Sequence, residues 1–264
     1  LDLGAALEIV MDFDAPAAAV VKHNNPSGAA EDKTIEKAFL GALDCDRMSA
    51  FGGIIGLNRP VSGKFASEII EQTGFFECII APGYEEEALR VLSGKKNVRV
   101  VKYSPEDVKI SPAGYDIKKI SGGFLVQDRD SGKFLPEEIK TVTKVSPTRE
   151  QMSSLMFAWK ICRFVKSNAI VLASGTKTVG IGAGQMSRVD SVDVAITKAG
   201  EKAGSSVMAS DAFFPKTDSV HKAHQAGIKA IIQPGGSIRD KEVIDACDEY
   251  GMAMVFTSRR HFRH

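Results

Sequence analysis

The sequence predicts an α/β protein in which strands and helices alternate along the whole chain. Short apolar runs bounded by Gly or Pro, such as residues 17–21 and 78–81, are typical of buried strands. The apolar positions 35, 38, 39, 42 and 43 have the spacing of one helix face, with Thr34 as the predicted N-cap. Because segments of the two kinds alternate over 264 residues, the pattern indicates an α/β fold.

In the first half, we expect a turn at Asn25 to Gly28 to end the first strand, because Asn, Pro, Ser and Gly favour turns. The remaining elements follow from the same patterns. Strands are predicted at 17–21, 50–57, 78–81, 98–103 and 124–127, and further helices at 62–72 and 85–92.

In the second half, Gly251 is predicted to close the last helix in the C′ position. Helices are predicted at 149–165, 188–203, 219–225 and 241–250, and strands at 169–173, 178–181, 206–209, 228–232 and 252–256.

Two domains are predicted, residues 1–146 and 147–264. The stretch 128–147 is charged, poor in apolar residues and contains Pro136 and Pro147, which is typical of a link. A weak internal repeat also suggests related halves, since Val-Lys-His-Asn at 21–24 is similar to Val-Lys-Ser-Asn at 165–168. We therefore expect a site between two related α/β halves.

Composition excludes several classes of function. Lys and Arg total 34 against 33 for Asp and Glu, which predicts neither a nucleic-acid partner nor a membrane partner. The 4 cysteines are far apart, so we expect no zinc site, no other metal site and no redox pair. With no signal peptide and no run long enough to span a bilayer, we expect a cytoplasmic protein. Because the chain starts with Leu1, a fragment or a processed product is expected.

Lys22 and His23 are the first candidate catalytic residues, because they stand side by side where an apolar strand ends. Histidine can accept and release a proton near neutral pH, and an adjacent ammonium favours its neutral form. The alternative is a turn whose polar residues only face water. Taken alone, the pair favours this alternative.

The segment 180–188, GIGAGQMSR, follows a predicted strand and precedes a helix. Gln185 breaks the dinucleotide-binding pattern G-x-G-x-x-G, so a Rossmann site is not favoured. Small residues before a helix can still admit an anion, to which Arg188 would add positive charge. A tight packing turn with a solvated arginine is the equal alternative.

Other polar or aromatic segments have plain structural interpretations. Phe213 and Phe214 are predicted to plug the core, with a ring-stacking wall as the alternative. Ser237 and Asp240 are predicted to form a capping pair for the last helix. His221 and His224 are too few for a metal site and are expected on a solvated face. The basic tail 259–264 either frays or lies across the strand ends and carries Arg260 to a phosphate.

Seven segments in this order resemble the AICAR transformylase domain of the AICAR transformylase/IMP cyclohydrolase family. They extend over residues 21–264, and the resemblance runs from Leu1 to His264. The segments are VKHNNPSG (21–28), DRMSAFGG (46–53), IIAPGY (79–84), VKSNAI (165–170), GIGAGQMSR (180–188), SDAFFP (210–215) and RHFRH (260–264).

The resemblance implies formyl transfer from 10-formyltetrahydrofolate, as co-substrate, to the 5-amino group of AICAR in purine biosynthesis. It implies two cytidine-deaminase-like α/β/α halves in three layers with mixed sheets, and a homodimer with its sites at the interface. Some family members bind a monovalent cation, so K⁺ is a candidate ion. The matching catalytic positions are Lys22, His23 and Asn168, and the matching substrate-binding positions are Gly52, Glu77, Arg188, Phe213, Pro215, Asp218, Arg260 and Phe262.

The sequence also departs from the family pattern. An upstream segment, Arg-Tyr-Gly-x-Asn-Pro-His-Gln, whose arginine helps to bind the phosphate, is absent, and so is the cyclohydrolase domain. Cyclohydrolase activity is therefore not expected, and a binding-only or structural remnant is the alternative function. A nucleoside deaminase is disfavoured, because neither His-x-Glu nor Pro-Cys-x-x-Cys occurs.

Overall fold

The computed structural model describes residues 1–106, 108, 114–130 and 138–264. The helices are α1 (Asp2–Val10), α2 (Ile35–Leu43), α3 (Arg47–Ala50), α4 (Gly63–Thr73), α5 (Glu86–Ser93), α6 (Arg149–Cys162), α7 (Arg188–Ala199), α8 (Asp218–Gln225) and α9 (Asp240–Glu249). The strands are β1 (Ala17–Lys22), β2 (Asn25–Glu31), β3 (Ile54–Leu57), β4 (Cys78–Ala81), β5 (Arg99–Lys102), β6 (Tyr115–Ile120), β7 (Gly123–Asp128), β8 (Lys140–Thr141), β9 (Ile170–Ser174), β10 (Lys177–Gly182), β11 (Val207–Ser210), β12 (Ala230–Gln233) and β13 (Ala253–Phe256).

Within the described residues, a mixed sheet of 11 strands runs through both halves of the chain, in the order β5-β4-β3-β1-β2-β10-β9-β11-β12-β13-β8. Strands β6 and β7 form a separate antiparallel pair. The order β2-β1-β3-β4-β5 recurs as β10-β9-β11-β12-β13, with two antiparallel pairings followed by two parallel ones in each run. The two runs meet where Lys177 of β10 lies opposite Ala30 of β2.

Helices cover both faces of this sheet, so the predicted α/β fold is confirmed as three layers with a mixed sheet. Alternate residues of a strand enter different cores, because successive side chains point to opposite faces. Val21 of β1 packs in a cluster with residues of α1 and α6, whereas Val20 packs with α2, α4 and α5. In the second half, Leu172 packs with α7, α8 and α9.

The predicted turn at Asn25 to Gly28 is wrong, since these residues begin β2. The turn lies at His23 and Asn24, whose φ angles of 52° and 62° reverse the chain before Asn25. Pro26 is tolerated in the strand because the pairing shifts register between Val20 and Val21.

The predicted strand 50–57 is correct only in its second part. Asp46 caps the short helix α3 by accepting a hydrogen bond from the Ser49 backbone N–H at 2.9 Å. Gly52 then turns the chain with φ of 70°, and β3 begins at Ile54. The side-chain cap competes with extended structure, and this local effect is not visible in the apolar pattern.

Most other predicted elements are confirmed with shifted ends, including the Thr34 N-cap and Gly251 with φ of 62° after α9. Besides β2 and α3, the elements α1, β6 and β8 were not predicted from the sequence. The predicted helix 188–203 ends at Ala199 and continues as a 3₁₀ helix, Gly200–Ser205. Of the predicted link 128–147, Pro136 lies outside the described residues, and the domain boundary stays a prediction.

Candidate active site

One edge of the large sheet gathers the predicted site residues of both halves. Strand β1 ends where β3 begins, since Val21 lies opposite Ile54. Strand β9 begins where β11 ends, since Ile170 lies opposite Ser210. The two halves are joined at this edge by the Lys166 backbone N–H, which donates to Asn25 Oδ1 at 2.9 Å. The positions that match the family's site residues therefore lie along this edge in both halves. They are Lys22, His23, Gly52 and Glu77 in the first half, and Asn168, Arg188 and Phe213 in the second.

The Lys22–His23 pair lies at the exposed end of β1. Lys22 Nζ donates to the backbone carbonyl of Phe51 at 2.7 Å, which joins it to the segment that carries Gly52. The other N–H groups of this ammonium remain available to a ligand. His23 is exposed, and in the described part of the chain its hydrogen bonds are made by its backbone. Its imidazole is therefore available to accept a proton.

Asn168 and Arg188 contact each other directly. Arg188 Nη2 donates to Asn168 Oδ1 at 2.6 Å, and Asn168 Nδ2 donates to the backbone carbonyls of Gln185 and Met186 at 2.9 and 3.1 Å. Asn168 thus orders the loop that precedes α7. Its Oδ1 keeps a second lone pair for another donor.

Arg188 is buried, so the interpretation as a solvated arginine is wrong. Its Nη1 donates to Ser210 Oγ at 2.9 Å and pairs with the Asp211 carboxylate. The second Asp211 oxygen accepts a hydrogen bond from Ser167 Oγ at 2.5 Å. A buried guanidinium needs such a counter-charge, because desolvation otherwise makes its burial unfavourable.

Phe213 and Phe214 differ in their surroundings. Phe214 is fully buried in the core, as the core-plug interpretation predicts. Phe213 is partly exposed, and the guanidinium of Arg260 lies 4.8 Å from its ring centroid. This cation–π contact places the exposed Arg260 at the edge of the sheet.

The basic tail packs along this edge, so the frayed alternative is wrong. The backbone N–H of His261 donates to the Asp211 carbonyl at 3.0 Å, and the Arg263 carbonyl accepts from the Ser167 N–H at 2.9 Å. The His261 ring is buried, and its Nδ1 lies 2.6 Å from Asp130 Oδ2. Its ring centroid is 4.7 Å from that of Trp159.

Four further positions implied by the family resemblance are Glu77, Pro215, Asp218 and Phe262. Glu77 precedes β4 and accepts a hydrogen bond from Arg99 at 2.9 Å. Asp218 begins α8, where its Oδ1 accepts from the Ser219 N–H at 2.7 Å, and Pro215 is exposed. Phe262 is exposed and stacks on His264. Among the hydrogen bonds of the described residues, none joins these four to Lys22 or His23.

The predicted capping pair of α9 is wrong in its detail. The helix begins at Asp240, so Arg239 occupies the N-cap position. Ser237 Oγ accepts from the Arg239 N–H at 3.1 Å, and Asp240 Oδ2 accepts from the Gly236 N–H at 2.7 Å. The two side chains order the loop before the helix, and neither caps the helix as the predicted pair would.

His221 is not simply solvated, in contrast to the prediction. Its ring nitrogens lie 2.8 Å from Tyr250 Oη and 3.0 Å from Thr217 Oγ1. His224 is exposed and stacks on the Tyr250 ring at a centroid distance of 3.9 Å. The chain from 1 to 264, apart from the ranges that the structure does not describe, contains no cluster of three or more His, Cys, Asp or Glu arranged to hold a metal ion.

The cysteine beside the site is unsuited to nucleophilic chemistry. Burial raises the pKa of the Cys162 thiol well above its usual value, and the negative charge of Asp211 adds to this rise. The thiol donates a weak hydrogen bond to the backbone carbonyl of Ala169 at 3.6 Å. Because the thiolate is the reactive form, Cys162 is a packing residue.

Asp2, Ser167 and Asp211 were not predicted as site residues from the sequence. Asp211 was detectable in principle, since it is an acid directly after a buried apolar strand and beside two aromatic residues. Asp2 was not detectable, because its contact with His23 and Asn24 joins positions 21 and 22 residues apart.

No helix in the described part of the chain is both long enough and apolar enough to cross a membrane.

The fold and the edge site define an α/β protein whose polar site is built from both halves of one sheet. The family model described as AICARFT/IMPCHase bienzyme matches residues 1–198, so the chain belongs to this family. The resemblance predicted from the sequence segments is confirmed.

Two curated relatives carry the name bifunctional purine biosynthesis protein PurH. The protein from Ruminiclostridium cellulolyticum is 51% identical over 263 residues, which cover 100% of this chain and 51% of the relative. The protein from Roseobacter denitrificans is 49% identical over 276 residues, which cover 100% of this chain and 52% of the relative. The chain therefore spans about half the length of the curated relatives it matches.

Among solved structures, one titled "Structural genomics, protein ybgI, unknown function" is 10% identical, with a TM-score of 0.20. The alignment covers 79% of this chain and 72% of that chain. A likeness at this level carries no argument about fold or function.

Proposed function

We propose that this chain transfers a formyl group from 10-formyltetrahydrofolate to the 5-amino group of AICAR. The observation that carries the proposal is that the Lys22–His23 turn and the Asn168–Arg188 network lie along one sheet edge, where the Lys166 N–H donates to Asn25, in a member of the AICARFT/IMPCHase bienzyme family. The PurH relatives support a role in purine biosynthesis.

In the proposed reaction, the amine nitrogen of AICAR attacks the formyl carbon, and the formyl oxygen becomes an oxyanion. The imidazole of His23 accepts the proton that the amine loses. Collapse of the tetrahedral intermediate breaks the bond between the formyl carbon and N10 of the folate, and N10 gains a proton. The Lys22 ammonium, held at the Phe51 carbonyl, is suited to stabilise the oxyanion or to protonate N10.

The remaining residues are proposed to bind the substrates. Arg260 is exposed above Phe213, so its guanidinium is available to the phosphate of AICAR. Asn168 is suited to orient the imidazole of AICAR through the second lone pair of Oδ1, whereas it could hold the formyl oxygen through Nδ2 only by giving up one of its hydrogen bonds to the Gln185 and Met186 carbonyls. Gly52, Glu77, Arg188, Pro215, Asp218 and Phe262 are proposed as further substrate contacts on the basis of the family resemblance.

We also propose that the two halves are cytidine-deaminase-like units, divided at 146/147. The repeated strand order supports this proposal. A homodimer with sites at its interface, K⁺ as a bound ion, a cytoplasmic location and the absence of cyclohydrolase activity stay predictions. No step of the proposed reaction depends on the ion.

A second candidate is a remnant that folds but does not bind AICAR. One observation favours it: the charge of Arg188 is already neutralised by Asp211. Titration calorimetry with AICAR distinguishes the two candidates. Tight binding by this chain excludes the remnant, whereas no detectable heat at millimolar AICAR supports it.

The test of formyl transfer compares His23→Ala with the unsubstituted chain. We expect a loss of about 100-fold or more in kcat, the usual contribution of a positioned acid–base group. His224→Ala is the matched control, since His224 is another exposed histidine and lies on α8 against Tyr250. Unchanged transfer by His23→Ala would exclude the proposed base.

A further inference from the structure

His23 and Asn24 both adopt the left-handed backbone conformation at the turn between β1 and β2. Their φ angles are 52° and 62°. Residues other than glycine rarely adopt this region, because the side chain crowds the backbone carbonyl. Two such residues in succession therefore require contacts that hold the turn.

A single carboxylate supplies two of these contacts. The backbone N–H of His23 donates to Asp2 Oδ2 at 3.2 Å, and the backbone N–H of Asn24 donates to Asp2 Oδ1 at 2.8 Å. Hydrogen bonds to an ionised acceptor are roughly twice as strong as neutral ones. Asp2 thus binds the turn as an anion binds in a nest of successive N–H groups.

The hydrophobic core determines where this carboxylate lies. Asp2 is the first residue of α1, whose inner face is buried through Ala6 and Ile9. The helix packs so closely on β3 that a Cβ added to Gly56 would lie 2.8 Å from the Ala6 carbonyl oxygen. Because α1 packs closely against the sheet, the Asp2 carboxylate is held in place beside the turn.

The backbone conformation at His23 determines where its imidazole lies. Within the described residues, His23 makes its hydrogen bonds through the backbone: its N–H contacts Asp2, and its carbonyl accepts from Asn25 Nδ2 at 3.3 Å. The allowed side-chain rotamers depend on backbone φ and ψ. A change at the Asp2 contact therefore changes the place of the ring.

We propose that Asp2 is a positioning residue for His23: its carboxylate holds the left-handed turn that presents the imidazole to the substrate amine. This inference rests on the proposed formyl transfer and adds a residue to that site. Asp2 does not touch the substrates in this role, and it acts through His23.

The first test is Asp2→Asn, which keeps the size of the side chain but offers one oxygen where two are needed. We expect kcat for formyl transfer to fall about 10- to 100-fold, as for other small displacements of a catalytic group. The KM values for AICAR and the folate should change little. Glu8→Gln is the control, because it removes another carboxylate from α1, at the ion pair with Arg129. Thermal unfolding checks that both variants fold.

The second test repeats Asp2→Asn in the His23→Ala background. A residue that acts through His23 should cause no further loss there. An equal fold-loss in both backgrounds would indicate a general structural role and would overturn the proposal.

The third test does not depend on activity. Amide hydrogen exchange of His23 and Asn24 should accelerate in Asp2→Asn, while exchange at Val20 in β1 stays unchanged. Unchanged exchange at both turn amides overturns the proposal, even if the parent chain proves inactive. An inactive parent with accelerated exchange would reject the proposed function and retain the role of Asp2 in holding the turn.

Discussion

Arg188 and Asp211 form an ion pair that is almost closed to water. Their side chains are 7% and 0% exposed, and the pair also engages Asn168, Ser167 and Ser210. A buried pair of this kind adds little to stability by itself, but removal of one partner leaves an uncompensated charge. The pair therefore fixes the position of the arginine at the site.

Asp211→Asn should be strongly destabilising. It leaves the Arg188 guanidinium buried without its counter-charge, so we expect the free energy of unfolding to fall by about 3–5 kcal/mol. Denaturant unfolding measures this loss. Asp193→Asn is the control, because it breaks an exposed pair with Lys222 and should cost less than about 1 kcal/mol. Equal losses of unfolding free energy in the two variants would contradict the role of Asp211 as the buried counter-charge of Arg188.

Arg260→Gln should weaken AICAR binding without affecting stability. Its guanidinium is exposed above Phe213, and the loss of one charged hydrogen bond to a phosphate corresponds to about a tenfold rise in KM or more. Steady-state kinetics with AICAR measures the change. Arg90→Gln, in an exposed pair with Glu87 on α5, serves as the control. A KM equal to that of the control would remove Arg260 from the site.

Asp46 should make stability dependent on pH in the acid range. Burial alone would raise the pKa of its carboxyl, but hydrogen bonds from Lys198 and Ser49 outweigh it and hold the pKa below the usual value. The stabilisation is therefore complete above the unfolded pKa of about 3.9 and is lost as the pH falls through the lower folded pKa.

The measurement is the difference in unfolding free energy between the parent and Asp46→Asn across this pH range. The difference should be largest at neutral pH and should shrink on acidification. Asp245→Asn, in an exposed pair with Lys241 on α9, should differ from the parent by less than about 0.5 kcal/mol at neutral pH. A difference for Asp46→Asn that grows as the pH falls would contradict a lowered pKa of Asp46 in the folded protein.

The thiols should be inert in the folded protein. All 4 cysteines are buried, and burial raises the pKa of Cys45 and of Cys247 to about 12. Because the thiolate is the nucleophile, a disulfide reagent such as DTNB near pH 8 should label none of them within minutes. All should react in guanidinium. Rapid labelling of the folded protein would show that the buried positions open easily.

Regular elements of this fold were predictable where apolar periodicity is strong. The helix after Thr34 and the strand 78–81 appear at the predicted places, because their patterns match the core they face. The helix end and turn at 50–53, where a strand was predicted, were not predictable, since the Asp46 cap that turns residues 47–50 into a helix leaves no mark on the apolar pattern. The strand at Asn25 was hidden because Pro and Gly within it are typical of turns.

For the site, local sequence marked the residues that carry chemistry but not those that hold them. Lys22, His23 and Arg188 were named from their segments. The partners Asp2 and Asp211 contact those residues across 21 to 23 positions of sequence. Such contacts depend on how α1 and β11 pack, which no local pattern describes.

By itself, the sequence determined the α/β class, most of the helices and strands, and the family, because each depends on local periodicity or on ordered motifs. Only the tertiary structure decided that both halves share one sheet and that Asn25 and Lys166 join their site segments at one edge. It also decided that Arg188 is buried against Asp211. The physical reason is that strand pairing and charge burial depend on contacts between segments far apart in the chain, which form only when the sheet is complete.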